Sequence, residues 1–122
     1  MEKILIVDDE KMNRSLLKHI FEEQYEVLEA ANGVEAIELL DSNIEEIQVV
    51  FLDLLMPVMD GFATLTSIRQ RETLRDLPII ILTGTRHKEK VIKGITSGVE
   101  GYIVKPANSE QLLAKIESVL SA

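Results

Sequence analysis

Cysteine is absent from all 122 residues, so the chain has no disulfide framework and no thiolate metal site. Any metal must therefore be held by oxygen or histidine ligands. Positive charge is scarce: 13 Lys and Arg stand against 21 Asp and Glu, a net charge of -8. That balance disfavours nucleic acid and anionic membranes as direct partners, and suits cations and basic protein patches. No apolar run approaches the ~18 residues of a membrane span, and the opening stretch "MEKILIVDDE" is too short and acidic for a signal peptide. A cytoplasmic protein with no membrane partner is expected. A linker rich in Pro, Gly or Ser is also missing, and the sequence stops soon after its last helical pattern, so one domain over residues 1–122 is expected. What remains is globular usage, with 46% hydrophobic and 28% charged residues, enough for a core of its own.

Alternation organises the chain. "KILIV" (3–7), "VVFL" (49–52) and "IIIL" (79–82) are short apolar runs bounded by charged or turn residues, the pattern of strands buried on both faces. "EVLEA" (26–30) and "GYIV" (101–104) are flanked by more polar residues and suit sheet edges. Helical periodicity lies between and after them: Met12, Leu16, Leu17, Ile20 and Phe21 form one apolar face, followed by Val34, Ile37 and Leu40. Further faces comprise Phe62, Leu65 and Ile68, then Val91, Ile92 and Ile95, and finally Leu112, Leu113, Ile116, Val119 and Leu120. Asn32 with Glu35, Asp60 before Gly61-Phe62, and Asn108 with Gln111 provide N-terminal caps. Five β-α units with buried strands predict a three-layer α/β fold, a doubly wound parallel sheet with right-handed crossovers.

Ligands of such sheets bind beyond the carboxyl ends of the strands. There the sequence places Asp8-Asp9-Glu10, Asp53, Thr83-Gly84-Thr85 and Lys105-Pro106. Two carboxylates about 4 Å apart repel by roughly 4 kcal/mol at an effective dielectric near 20, so such a group calls for a compensating cation. Mg²⁺ takes only one or two carboxylates plus phosphate oxygens. Asp53 could then act as a nucleophile, with Lys105 neutralising charge on the transferring group and the Thr83 hydroxyl bonding one of its oxygens. The parts match phosphoryl transfer.

The stretches "ILIVDDE", "VVFLDLLMPVMDGF", "IIILTG" and "GYIVKP", in this order and spacing, resemble the receiver domain of two-component response regulators over essentially the whole chain. The resemblance implies a flavodoxin-like (βα)5 sheet with strand order 2-1-3-4-5, an order that periodicity does not supply. It implies that Asp53 accepts a phosphoryl group from a phosphohistidine on a sensor histidine kinase or a phosphotransfer protein. Mg²⁺ would be ligated by Asp9 and Asp53, with Asp8 acting through water or by positioning the ion, and with the Leu55 backbone carbonyl completing the set. Thr83 and Lys105 would bind phosphoryl oxygens, and Tyr102 would follow Thr83 as the protein switches. The readout would be the face of the fourth helix, fifth strand and fifth helix, presented to a downstream output domain or protein. Such a domain is a signalling switch rather than an enzyme, although it catalyses its own phosphorylation and dephosphorylation. The Lys105-Pro106 bond is a candidate for the cis form.

Plainer roles suit other residues. Asp60 reads as a cap, Glu10 as a solvated residue opening the first helix, and Met56 and Met59 as packing. His19 and His87 read as surface residues, and Arg86 to Lys90 as a solvated helix face. Ala107, where many DNA-binding regulators carry Phe, argues against their dimer. Leu55 has no polar group to orient an attacking water; with Thr85 it occupies a place that tunes phosphoryl lifetime, and an aspartyl phosphate that is not unusually short-lived is expected. Gly84 leaves room for the phosphodonor. Among rivals, a haloacid-dehalogenase-type phosphatase needs a second Asp where Leu55 stands. A pseudo-receiver, binding partners independently of phosphorylation, would have lost one of Asp9, Asp53, Thr83 and Lys105, yet all are present.

Overall fold

The computed structural model describes residues 1–43, 45–54, 56–84 and 99–121. Its elements are β1 (Lys3–Val7), α1 (Lys11–Phe21), β2 (Glu26–Ala30), α2 (Gly33–Ser42), β3 (Ile47–Leu52), α3 (Gly61–Gln70), a 3-10 turn (Glu72–Leu74), β4 (Ile79–Thr83), β5 (Gly101–Val104) and a C-terminal helix (Ser109–Leu120). The helical pattern at Val91, Ile92 and Ile95 lies outside the described residues, as do His87 and Thr85. The five strands form one parallel sheet in the order β2-β1-β3-β4-β5. This is the flavodoxin-like, doubly wound order, and the two polar-flanked strands lie at the edges as expected.

The unbroken apolar runs of β1, β3 and β4 are explained by the period of two along a strand. Leu5, Val7, Val50, Leu52, Ile79 and Ile81 face one side and pack with Ala36 and Leu40 of α2 and Leu65 and Ile68 of α3. Ile4, Ile6, Val49, Phe51, Ile80 and Leu82 face the other side, against Leu17 and Phe21 of α1 and Leu112 and Ile116 of the C-terminal helix. Beyond Lys3 and Gln48 near the start of β1 and β3, covering both faces leaves no polar position in these strands until they end. Phe21 stacks on Phe51 with ring centroids 5.0 Å apart, joining α1 to the centre of the sheet.

Caps fix where helices begin. Asn32 accepts from the Glu35 amide at 3.0 Å, Asp60 from the Ala63 amide at 2.8 Å and Asn108 from the Gln111 amide at 2.7 Å, as the sequence predicts. The apolar face of α1 needs correction. Met12 and Leu16 are 81% and 59% exposed, while Leu17 and Phe21 are buried. At 3.6 residues per turn Met12 and Phe21 stand about 180° apart, so the five apolar positions are too widely spread to face one sheet together. Val34 likewise stands out of α2 into solvent, its place in the core taken by Gly33 and Ala36.

Candidate functional site

The strands deliver their polar residues to one rim. Val7 and Leu52 are partners across the parallel β1–β3 pair, so Asp8 and Asp53 leave the sheet side by side. Both amides extend the ladder by one step: Asp53 donates to the Val7 carbonyl at 3.0 Å and Asp8 to the Ala30 carbonyl at 3.1 Å. The backbone therefore holds both acids before any side chain interacts. Asp8 is 2% and Asp53 7% exposed, whereas Asp9 reaches into solvent. One carboxylate oxygen from each of Asp8, Asp9 and Asp53 lies within 4.8 Å of the others.

Lys105 closes the group from the far side of the sheet. Its ammonium lies 2.6 Å from Asp8 Oδ2 and 3.4 Å from Asp53 Oδ2. Its amide donates to the Thr83 carbonyl at 2.9 Å, and the Lys105-Pro106 peptide is cis. Burial alone would pull the ammonium pKa down, but the hydrogen bond it donates to Asp8 and the charges of Asp53 and Asp8 outweigh it, and the net shift is upward. The side chain therefore stays cationic. Among the described residues one ammonium faces three carboxylates, and the site's donors are hard oxygens, two of the acids being buried. This donor set fits a hard divalent cation of the Mg²⁺ type.

Thr83 ends β4, fully buried, opposite Val104. Alternation puts it on the same face as Ile79 and Ile81. Tyr102 pairs in register with Ile81 and packs, half-buried, against the cluster on that face. Leu55, whose carbonyl the resemblance implicates, lies outside the described residues. The turn after Asp53 is closed by Gly61, whose amide donates to the Leu54 carbonyl at 2.9 Å. A Cβ at Gly61 would stand 2.3 Å from the Asp53 carbonyl oxygen, so a side chain there would push α3 off the end of β3. Asp60 is spent on capping α3, and His19 pairs with Glu22 on the surface at 3.9 Å. A Cβ at Gly84 would meet no atom within 4 Å among the described residues, in keeping with open space there.

Sequence patterns missed the support beneath the acids. Asp8 Oδ1 accepts from the Glu10 amide at 2.9 Å, opening α1 in place of a cap from Glu10 itself. Arg14 Nη1 donates to the Asp8 carbonyl at 2.7 Å and its Nε to Glu29 Oε1 at 3.3 Å. The only available signal was a lone arginine one turn into α1 and an acid inside an edge strand, which solvated residues also produce.

Known proteins share this arrangement. The family model for the response regulator receiver domain matches residues 4–117. A chemotaxis protein CheY homolog of Campylobacter jejuni is 38% identical over 120 residues, covering 97% of this chain and 92% of that protein. The transcriptional regulatory protein SrrA of Staphylococcus aureus is 39% identical over 119 residues, and this chain spans only 47% of its length. The chemotaxis response regulator CheY4 of Vibrio cholerae superposes with a TM-score of 0.87 at 36% identity, covering 98% of this chain and 99% of that one. The regulator TrrA of Thermotoga maritima, solved with Mg²⁺ and a beryllofluoride, gives 0.84 at 35% identity, covering 98% and 100%. With its sheet order, its acidic rim and these relatives in agreement, the chain belongs to the response regulator receiver domain family.

Proposed function

We propose that residues 1–122 act as a phosphoacceptor receiver that takes a phosphoryl group onto Asp53 from a phosphohistidine of a sensor histidine kinase or a phosphotransfer protein. The observation that carries this reading is the Asp53 carboxylate, 7% exposed at a strand end, within 4.8 Å of two further acids and 3.4 Å of the Lys105 ammonium. An acid in that place is suited to act as a nucleophile, with the Lys105 ammonium beside it and two further acids with which it could share a divalent cation.

In the transfer, an Asp53 oxygen forms the new P–O bond while the donor's P–N bond breaks and the electron pair returns to the imidazole. Lys105 is placed to follow the charge moving onto the phosphoryl oxygens, since it already bridges Asp8 and Asp53. Thr83 would bond a phosphoryl oxygen from the end of β4. Asp9, Asp53 and, as the resemblance implies, the Leu55 carbonyl would hold Mg²⁺, with Asp8 acting through water or by positioning the ion, which would supply electrostatic compensation for the acids and the transferring group. Inward movement of Thr83 would open space that Tyr102 follows, and the face of the fourth helix, fifth strand and fifth helix that the resemblance implies would then read out the state to an output domain or protein. The protein works as a switch, without direct contact with nucleic acid or membrane, in the cytoplasm. Among the described residues no helix is long and apolar enough to cross a membrane.

Acetyl phosphate or beryllofluoride with Mg²⁺ should produce saturable amide shifts around Thr83 and Tyr102 that Asp53→Ala abolishes and Asp60→Asn leaves intact. Absence of any response in the wild type would remove the phosphoacceptor reading and leave that of a pseudo-receiver. Steady turnover of unrelated phosphate esters would instead indicate a phosphatase.

A further inference from the structure

The geometry points to Arg14 as a positioning residue for the cation site, one that sets divalent affinity by clamping the peptide unit between Asp8 and Asp9. This rests on the Mg²⁺ site proposed above. The two acids are held differently. The Asp8 side chain has its own anchors, the Glu10 amide at 2.9 Å and the Lys105 ammonium at 2.6 Å. The Asp9 side chain is exposed, so its direction of entry is set by its backbone.

The Asp8 carbonyl and the Asp9 amide belong to one planar unit, so a bond that fixes the oxygen fixes the plane from which Asp9 departs. Arg14 makes that bond at 2.7 Å. Its guanidinium is fixed in turn by Glu29 on β2 at 3.3 Å, and the two side chains are only 15% and 32% exposed. The planar fork of arginine satisfies both acceptors at once, which a lysine ammonium on its flexible stem does less well. Mg²⁺ demands near-ideal octahedral geometry, so freedom in this peptide unit falls directly on its affinity.

Electrostatics and positioning predict opposite signs, which makes the proposal testable. Removing a cation beside an acidic cluster would by charge alone tighten divalent binding. Loss of positioning would weaken it. Mg²⁺ titrated into the isotopically labelled full chain, followed by amide shifts, should give Arg14→Ala an apparent Kd raised about 10- to 100-fold, the range for groups that orient metal ligands. Arg71→Ala, which breaks a comparable arginine pair with Asp41 away from the rim, should keep the wild-type Kd. If Arg14→Ala does not fold, Arg14→Lys, which keeps the charge and loses the fork, should still show a several-fold rise. A wild-type or tighter Kd in a folded Arg14 variant, or an equal loss in Arg71→Ala, overturns the proposal. A wild type without saturable Mg²⁺ shifts overturns the cation site itself, a distinct outcome.

Discussion

Val58 has φ of 69° and is 82% exposed, one residue beyond Pro57 in the loop that leaves Asp53. The Met59 amide donates back to the Pro57 carbonyl at 2.7 Å, so the three residues close a γ-turn with Val58 at its tip. A β-branched residue is rarely found at positive φ, and such strain is of order 1–3 kcal/mol. Val58→Asn relieves it and gives up no buried surface. The variant should be more stable by about 1 kcal/mol, a rise of roughly 4 °C in Tm for a domain of this size. An unchanged or lower Tm would refute the strain. At this scale the sequence was uneven. Asp8, Asp53 and Lys105 were legible together, because each ends a strand of one parallel sheet and only their combination separates them from ordinary cap or turn residues, whereas nothing in "PVMDG" says which residue turns left-handed. Arg14 was illegible for a related reason: its partner just beyond β1 is the backbone carbonyl of Asp8, and side-chain patterns carry no trace of it.

The capped helices begin where the sequence says, β3 begins two residues before its apolar run, and element ends are less legible. The caps at Asn32, Asp60 and Asn108 are local chemistry, a side chain meeting an amide three residues on. The exit from α3 is long-range. Arg69, in the last turn of α3, donates through Nη1 to the carbonyls of Leu77 at 2.8 Å, Arg75 at 2.9 Å and Leu74 at 3.2 Å. It pairs with Glu100 at 3.6 Å, whose carboxylate accepts from the Ile79 amide at 2.9 Å as β4 begins. One guanidinium thus gathers the 3-10 turn, the start of β4 and the approach to β5. Burial draws its pKa down, against the charges of Glu100 and Asp76, which marks the desolvation that these bonds offset. Arg69→Ala should lower unfolding free energy by about 2–4 kcal/mol, because it takes this donor from the carbonyls of Arg75 and Leu77 and the paired cation from Glu100. Chemical denaturation would measure it, and a loss near that of an exposed pair, about 0.5 kcal/mol, would show that water replaces the arginine freely.

At the scale of the molecule, fold class followed from five apolar runs alternating with helical periods, because strands covered on both faces have few other architectures. Strand order did not follow from periodicity; it came with the resemblance, and the sheet has that order. The outward placement of Met12 and Leu16 was overlooked because apolar character was read without the angle around the helix, which sets Met12 about 180° from Phe21. The acidic rim shows the same separation between folding and function. Three carboxylates within 4.8 Å, with one ammonium beside them among the described residues, crowd like charges together in the folded state. Neutralising one of them should therefore stabilise the protein while removing its proposed use. Asp53→Asn loses the longer of the two Lys105 contacts, 3.4 Å, and leaves the 2.6 Å contact with Asp8 in place. In buffer free of divalent ions the variant should exceed the wild type by about 1 kcal/mol in urea denaturation, the sign expected when a functional charge cluster is relaxed. Added Mg²⁺ should reverse the order: at a hundredfold excess over Kd, binding to the folded state adds about 2.7 kcal/mol to the wild type. The variant, short of one ligand, gains less. A wild type that is the more stable protein without Mg²⁺ would mean that Lys105 already balances the rim, and that cation binding is not driven by relief of repulsion among the acids.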